Sequence, residues 1–174
     1  MALDVTSGSA TADSYASLAE AAAYFTARGI ATWTGTDDVK ESALRRATAY
    51  LDNQYRDKWR GVRVNETQSL AWPRVDAGGY PLYDLDGFSI PTDAIPIQVR
   101  SATLEAALLT LTGVSLEPRL ARGGKIKSIG KRVGPLGTDI TYMDGAPVVD
   151  RITVIEGLLR GLITTSSMVR LVRS

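Results

Sequence analysis

Apolar residues recur at steps of three and four in four stretches of the chain, the spacing that gathers side chains on one face of a helix. In the first stretch these are Leu18, Ala21, Ala22 and Phe25. Ser17 and Glu20 stand just where a hydroxyl and a carboxylate can each satisfy a free backbone N–H at a helix start. A helix over 18–28 follows, with Arg28 at the negative end of its dipole and Gly29 as its stop. In the second stretch Leu44, Ala47, Leu51 and Tyr55 share a face that Lys40, Arg45, Arg46 and Asp52 avoid. The pattern predicts a long helix over 38–59, capped by Asp37 or Asp38, whose aromatic and charged end (Tyr55 to Trp59) suits a half-wet rim. Pro96 fits the first position of a third helix, 96–112, with Ile97, Leu104, Leu108 and Leu111 on one face. Ile152, Ile155, Leu159 and Ile163 predict a fourth over 150–163.

Elsewhere the helical period stops. Residues 61–95 are crowded with breakers (Pro73, Gly78, Gly79, Pro81, Gly87, Pro91) yet hold Leu70, Trp72, Tyr80, Leu82, Tyr83, Leu85, Phe88 and Ile90. So long and so apolar a loop is expected to pack on its own core or on a neighbouring copy. No internal repeat is evident. Residues 125–143 read as a hairpin around Gly134-Pro135-Leu136-Gly137. The fold class expected is mainly α: a small bundle of about four helices with a long inserted loop and a β-hairpin, in a single domain over 1–174. The tail 164–174 contains Met168, Val169, Arg170, Leu171, Val172 and Arg173. Its apolar residues would either add a strand to the chain's own hairpin or dock on another protein.

Composition narrows the chemistry. A chain of 174 residues, 44% of them hydrophobic, can bury a sizeable core without disulfides or metals. It has no Cys and no His, which removes thiol and Ser-His-Asp nucleophiles, thiolate zinc sites and the HExxH motif. No enzymatic activity, cofactor or metal is expected. No apolar run approaches the length of a membrane span, and no basic-apolar leader opens the chain, so a soluble cytoplasmic product is expected. The net charge of +1 is uneven: residues 1–118 carry 10 basic and 15 acidic side chains, and residues 119–174 carry 10 and 4. Arg119, Arg122, Lys125, Lys127, Lys131 and Arg132 fall together with no acid among them. They could meet a phosphodiester backbone or a neighbouring subunit, although only Tyr142 lies nearby to stack on bases.

Two other motifs are weaker. Gly124 to Lys131 has five residues between its glycines where a phosphate loop has four, and no helix follows. Asp84, Asp86, Gly87 and Asp93 fit part of a calcium loop, but Leu82 occupies the first ligand place, so a turn is the better account.

Several short segments in order carry a resemblance: Ser14-Tyr15 before the first helix, Ala43-Leu44-Arg45-Arg46-Ala47-Thr48 with Tyr50-Leu51-Asp52, Trp59-Arg60-Gly61, Thr67-Gln68-Ser69-Leu70-Ala71-Trp72-Pro73-Arg74, and Ile95-Pro96. Together they resemble the head-tail connector (adaptor) family of tailed phages, whose members also carry the label DnaT-like single-strand-binding protein. The segment Val75 to Phe88 departs from that pattern in length and in its Gly and Tyr content. The resemblance implies a virion neck protein assembled in the host cytoplasm. It would form a homo-oligomeric, usually twelve-fold ring under the portal protein, extend the channel for genomic DNA, and receive a stopper, head-completion or tail-completion protein, with no membrane partner. The tail Met168 to Arg173 would then bind portal or neighbour. The alternative is a single-stranded-DNA-binding replication accessory protein, whose contacts would be Arg119 to Arg132.

Overall fold

The structure is a computed structural model and describes residues 2–116, 126–132, 137–142 and 153–164. These residues are mainly helical, with small two-stranded sheets. They fall into two compact units, the larger of residues 2–116 and 153–164 and the smaller a hairpin.

In the larger unit α1 (Leu18–Ala27) begins at the capping box: the Glu20 N–H donates to Ser17 Oγ at 3.2 Å and the Ser17 N–H to Glu20 Oε2 at 2.8 Å. At its other end the Arg28 guanidinium lies 3.4 Å over the Tyr24 ring centroid. Helix α2 (Asp37–Gln54) starts from Thr36, and Asp37 and Asp38 occupy its first turn, where their charge suits the dipole, in place of the cap. It stops at Gln54, five residues short of the predicted end. Residues 58–60 leave the helix because they pair with residues 162–164: the Arg60 N–H donates to Leu162 O at 3.0 Å and the Thr164 N–H to Lys58 O at 2.7 Å. Tyr55 and Trp59 pack in the core while Arg56, Asp57 and Lys58 between them are exposed, as expected of a half-wet rim.

Helix α3 (Ile97–Leu111) takes Pro96 as its N-cap. Its buried face runs through Val99, Ala102, Thr103 and Ala106, whereas Ile97 is exposed. Of the other residues predicted on this face Leu104 is buried and Leu108 and Leu111 are half-buried, so small residues widen the buried face where α3 meets α2 and α4. Tyr24 Oη donates to Glu105 Oε1 at 2.8 Å and Arg100 Nη1 to Glu20 Oε1 at 2.8 Å, tying α1 to α3. Helix α4 (Thr153–Leu158) is shorter than predicted; Ile155, Leu159 and Leu162 are buried, the last two after the helix has ended in the turn that reaches residues 58–60. Residues 150–152 lie outside the described residues.

The segment 61–95 is built largely from side-chain-to-backbone bonds. Strands β1 (Val62–Arg63) and β2 (Arg74–Val75) pair antiparallel. Between them the buried Gln68 amide donates to Leu70 O at 2.8 Å and Pro73 O at 3.2 Å, and its Oε1 accepts from the Asn65 N–H at 3.1 Å.

After β2 come two turns of the same construction. In Val75 to Leu82, Asp76 Oδ1 accepts from the N–H groups of Gly78 and Tyr80, both at 2.8 Å, and the Asp76 N–H donates to Tyr80 O at 2.9 Å. In Tyr83 to Ile90, Asp84 Oδ1 accepts from Asp86 at 3.0 Å and Phe88 at 2.8 Å, and the Asp84 N–H donates to Phe88 O at 2.9 Å. Gly79 and Gly87 hold equivalent places with φ of 84° and 86°, a conformation that a side chain would strain. The sequence therefore does contain an internal repeat, of eight residues. Bonding of Asp84 to these N–H groups also agrees with a turn at Asp84 to Gly87.

The smaller unit pairs β3 (Ile126–Arg132) with β4 (Gly137–Tyr142) antiparallel, with Lys131 opposite Thr138 and Arg132 opposite Gly137. Its turn, residues 133–136, lies outside the described residues.

Candidate functional site

The C-terminal turn of α2, β1 and the loop before β2 enclose a groove of about 480 Å³. Its lining includes Asp52, Arg56, Trp59, Arg63, Ser69 and Arg74. Three of these are arginines and one is a carboxylate, so the electrostatics turn on what each already binds.

Asp52 is committed. It accepts from Tyr15 Oη, and its Oδ2 accepts from the Ala71 N–H at 2.9 Å. Burial raises its pKa above the ordinary value, against the opposing pull of Tyr15, Ala71 and Arg74. Tyr15 is buried and its pKa is pushed well up, first by burial and then by the Asp52 charge, so it remains a donor. Its oxygen also accepts from the Trp72 N–H at 3.2 Å.

Arg74 is held by carbonyls. Its Nε donates to Arg60 O at 2.8 Å, Nη1 to Ala71 O at 3.1 Å and Nη2 to Gly61 O at 2.6 Å. Burial lowers its pKa from an ordinary value far above neutrality. A guanidinium has five N–H groups, so two of them remain for a ligand. Arg63 donates from Nη1 to Gln68 O at 2.8 Å. Arg56 is exposed and has no hydrogen bond or ion pair among the described residues. The groove is thus lined by three guanidinium charges, none in an ion pair among the described residues, against one carboxylate, Asp52, whose charge acts on Arg74. Such a site attracts an anion.

The residues singled out in the sequence lie elsewhere. Lys127, Lys131 and Arg132 stand on β3, Lys127 at the irregularity in its register, and no side-chain position is assigned to them. Arg119, Arg122 and Lys125, and the tail residues Met168, Val169, Arg170, Leu171, Val172 and Arg173, lie outside the described residues. The arginines at 56, 63 and 74 escaped notice because they are spread along the chain, and only the β1–β2 pairing and the end of α2 bring them together. Among the described residues no three His, Cys, Asp or Glu side chains are grouped to hold a metal. No helix there is long and apolar enough to cross a membrane.

A family model described as "Putative DnaT-like ssDNA binding protein" matches residues 1–174. No curated protein matches the chain, and no solved structure does. The family description speaks of binding single-stranded DNA and not of a structural connector. It corrects the virion vocabulary that the phage resemblance implied (neck, adaptor, portal binding, ring, DNA channel) and supports the alternative reading.

Proposed function

The chain belongs to the DnaT-like ssDNA binding family, and from that premise we propose that it binds single-stranded DNA as a non-enzymatic accessory protein. The observation that carries the proposal is the groove at the end of α2, where Arg56, Arg63 and Arg74 outnumber the one lining carboxylate, Asp52, and leave the lining net positive. Phosphodiester oxygens are the acceptors such guanidinium groups suit, and each phosphate neutralised releases a counterion.

Salt dependence is the test. The protein is titrated against a fluorescent thymidine oligomer about 20 nucleotides long, long enough to fill a groove of this class. Affinity should fall linearly with the logarithm of salt concentration, with a slope of about −0.7 per phosphate contacted. The Arg56→Ala/Arg63→Ala variant should bind more weakly and lose roughly 1.4 from that slope. Failure of the unaltered protein to bind the oligomer at low salt overturns the proposal.

A further inference from the structure

The twin turns present aromatic rings to solvent at matching places. Tyr80 and Phe88 each follow the left-handed glycine of their own turn, and they are 70% and 72% exposed. Two residues further on, Leu82 and Ile90 are buried. The Ile90 N–H donates to Leu82 O at 2.7 Å, so the second turn is anchored on the first. Each unit therefore buries an aliphatic residue and holds an aromatic one out in water. A single exposed ring needs no explanation, but two at equivalent positions of a repeated, hydrogen-bonded turn form a surface that the backbone has fixed in advance.

We propose that Tyr80 and Phe88 are paired stacking platforms for the unpaired bases of a single strand; the inference rests on the single-stranded-DNA reading above. Three observations favour this occupant. A repeated platform matches a ligand whose own units repeat, and every base offers a π-face. The second turn is also tied to the arginine-bearing segment, since Arg60 Nη1 donates to Tyr83 O at 3.0 Å. Arg60 lies between Arg56 and Arg63 in sequence, so this bond ties the second turn to the chain segment that carries two of the groove's arginines. Finally, the turns carry three carboxylates, Asp76, Asp84 and Asp86, and no basic residue. Asp76 and Asp84 each accept two backbone N–H groups and Asp86 is exposed. Such a surface suits the uncharged faces of bases, which bind by stacking, better than it suits phosphates.

The test separates this inference from the reading beneath it. Tyr80→Ala/Phe88→Ala is titrated with the thymidine oligomer and with an abasic oligomer of equal length. The expected result is a loss of at least fivefold in affinity for the thymidine oligomer, from about 1–3 kcal/mol per stacked base. The salt slope and the affinity for the abasic oligomer should not change. Tyr80→Trp and Phe88→Trp should keep the affinity, and their indole fluorescence should be quenched on binding. If the double alanine variant binds the thymidine oligomer like the unaltered protein, the platforms are refuted while the groove stands. Equal loss on both oligomers, or unquenched tryptophans, also refutes stacking and points to a protein partner for the rings. If the unaltered protein binds neither oligomer, both readings fall.

Discussion

The phenol of Tyr15 donates to the carboxylate of Asp52 across 37 positions of sequence, and the same oxygen accepts the Trp72 N–H. One hydroxyl thus joins the segment before α1, the last turns of α2 and the loop that walls the groove. Tyr15→Phe leaves Asp52 short of a donor and Trp72 short of an acceptor in a buried place. A loss of about 1–3 kcal/mol is expected. Urea unfolding followed by tryptophan fluorescence should show a lower midpoint with an unchanged slope.

Glu20 at the start of α1 and Asp52 near the end of α2 should respond to pH with opposite signs. Burial opposes ionisation of Glu20, but the N–H and hydroxyl of Ser17 together with Arg100 outweigh it and hold the carboxyl below its ordinary 4.5. Its contribution is fully present above pH 4.5 and is lost as pH falls through the depressed value. Asp52 is raised above its ordinary 3.8, so the folded state is favoured by its protonation and loses that advantage as pH rises from 3.8 through the raised value. On acidification the stability deficit of Glu20→Gln should therefore shrink, and that of Asp52→Asn should grow. Denaturation midpoints measured at intervals from pH 3 to 7 would read both trends.

Gly61 is a position where a methyl group has no room. Its φ is 68°, and a Cβ there would lie 2.1 Å from the Val75 carbonyl oxygen. Gly61→Ala should push β1 from β2 and displace the carbonyl that receives Arg74 Nη2. The expected cost exceeds about 2 kcal/mol, combining left-handed strain with the clash. A thermal melt of the variant should fall by several degrees, and an unchanged melt would contradict the described approach.

Gln68 offers a sharper substitution still. Glutamate has nearly the same shape but places an acceptor where the amide donates to the Leu70 and Pro73 carbonyls. Gln68→Glu should cost about 1–3 kcal/mol at neutral pH. Part of that should be recovered in acid, where the protonated carboxyl can donate again. Hydrogen exchange at the Asn65 N–H, which Gln68 holds, should accelerate at neutral pH in the variant.

The helices were legible because their signals are local. Ser17 and Glu20 announce α1 by a pair of bonds three residues apart, and Pro96 marks the start of α3 within one residue. The end of α2 was not legible, because nothing between Gln54 and Trp59 says that Leu162 and Thr164 will claim the backbone there. On α3 the buried face runs through small residues as well as Leu104, so Ile97 misled. The segment 61–95 hid most, since Gln68, Arg74, Asp76 and Asp84 hold it through polar side chains to which hydrophobic periodicity is blind. The repeat within it keeps only two identities, Asp76 with Asp84 and Gly79 with Gly87, while Tyr80 matches Phe88 and Leu82 matches Ile90 by chemical class alone. The groove was illegible for the same reason, as its arginines converge only through that segment.

Each of the two turns closes its own hydrogen bonds within eight residues and passes a single bond to the next, from Ile90 to Leu82. Chain length in this region is consequently quantised. An added block of eight would leave every backbone donor of the existing turns with its acceptor and every aliphatic anchor facing inward. A block of four would strand an aspartate without its turn and carry an aromatic ring toward the core. Relatives that differ in this arm should therefore differ by whole units, and the number of exposed rings should rise or fall with them.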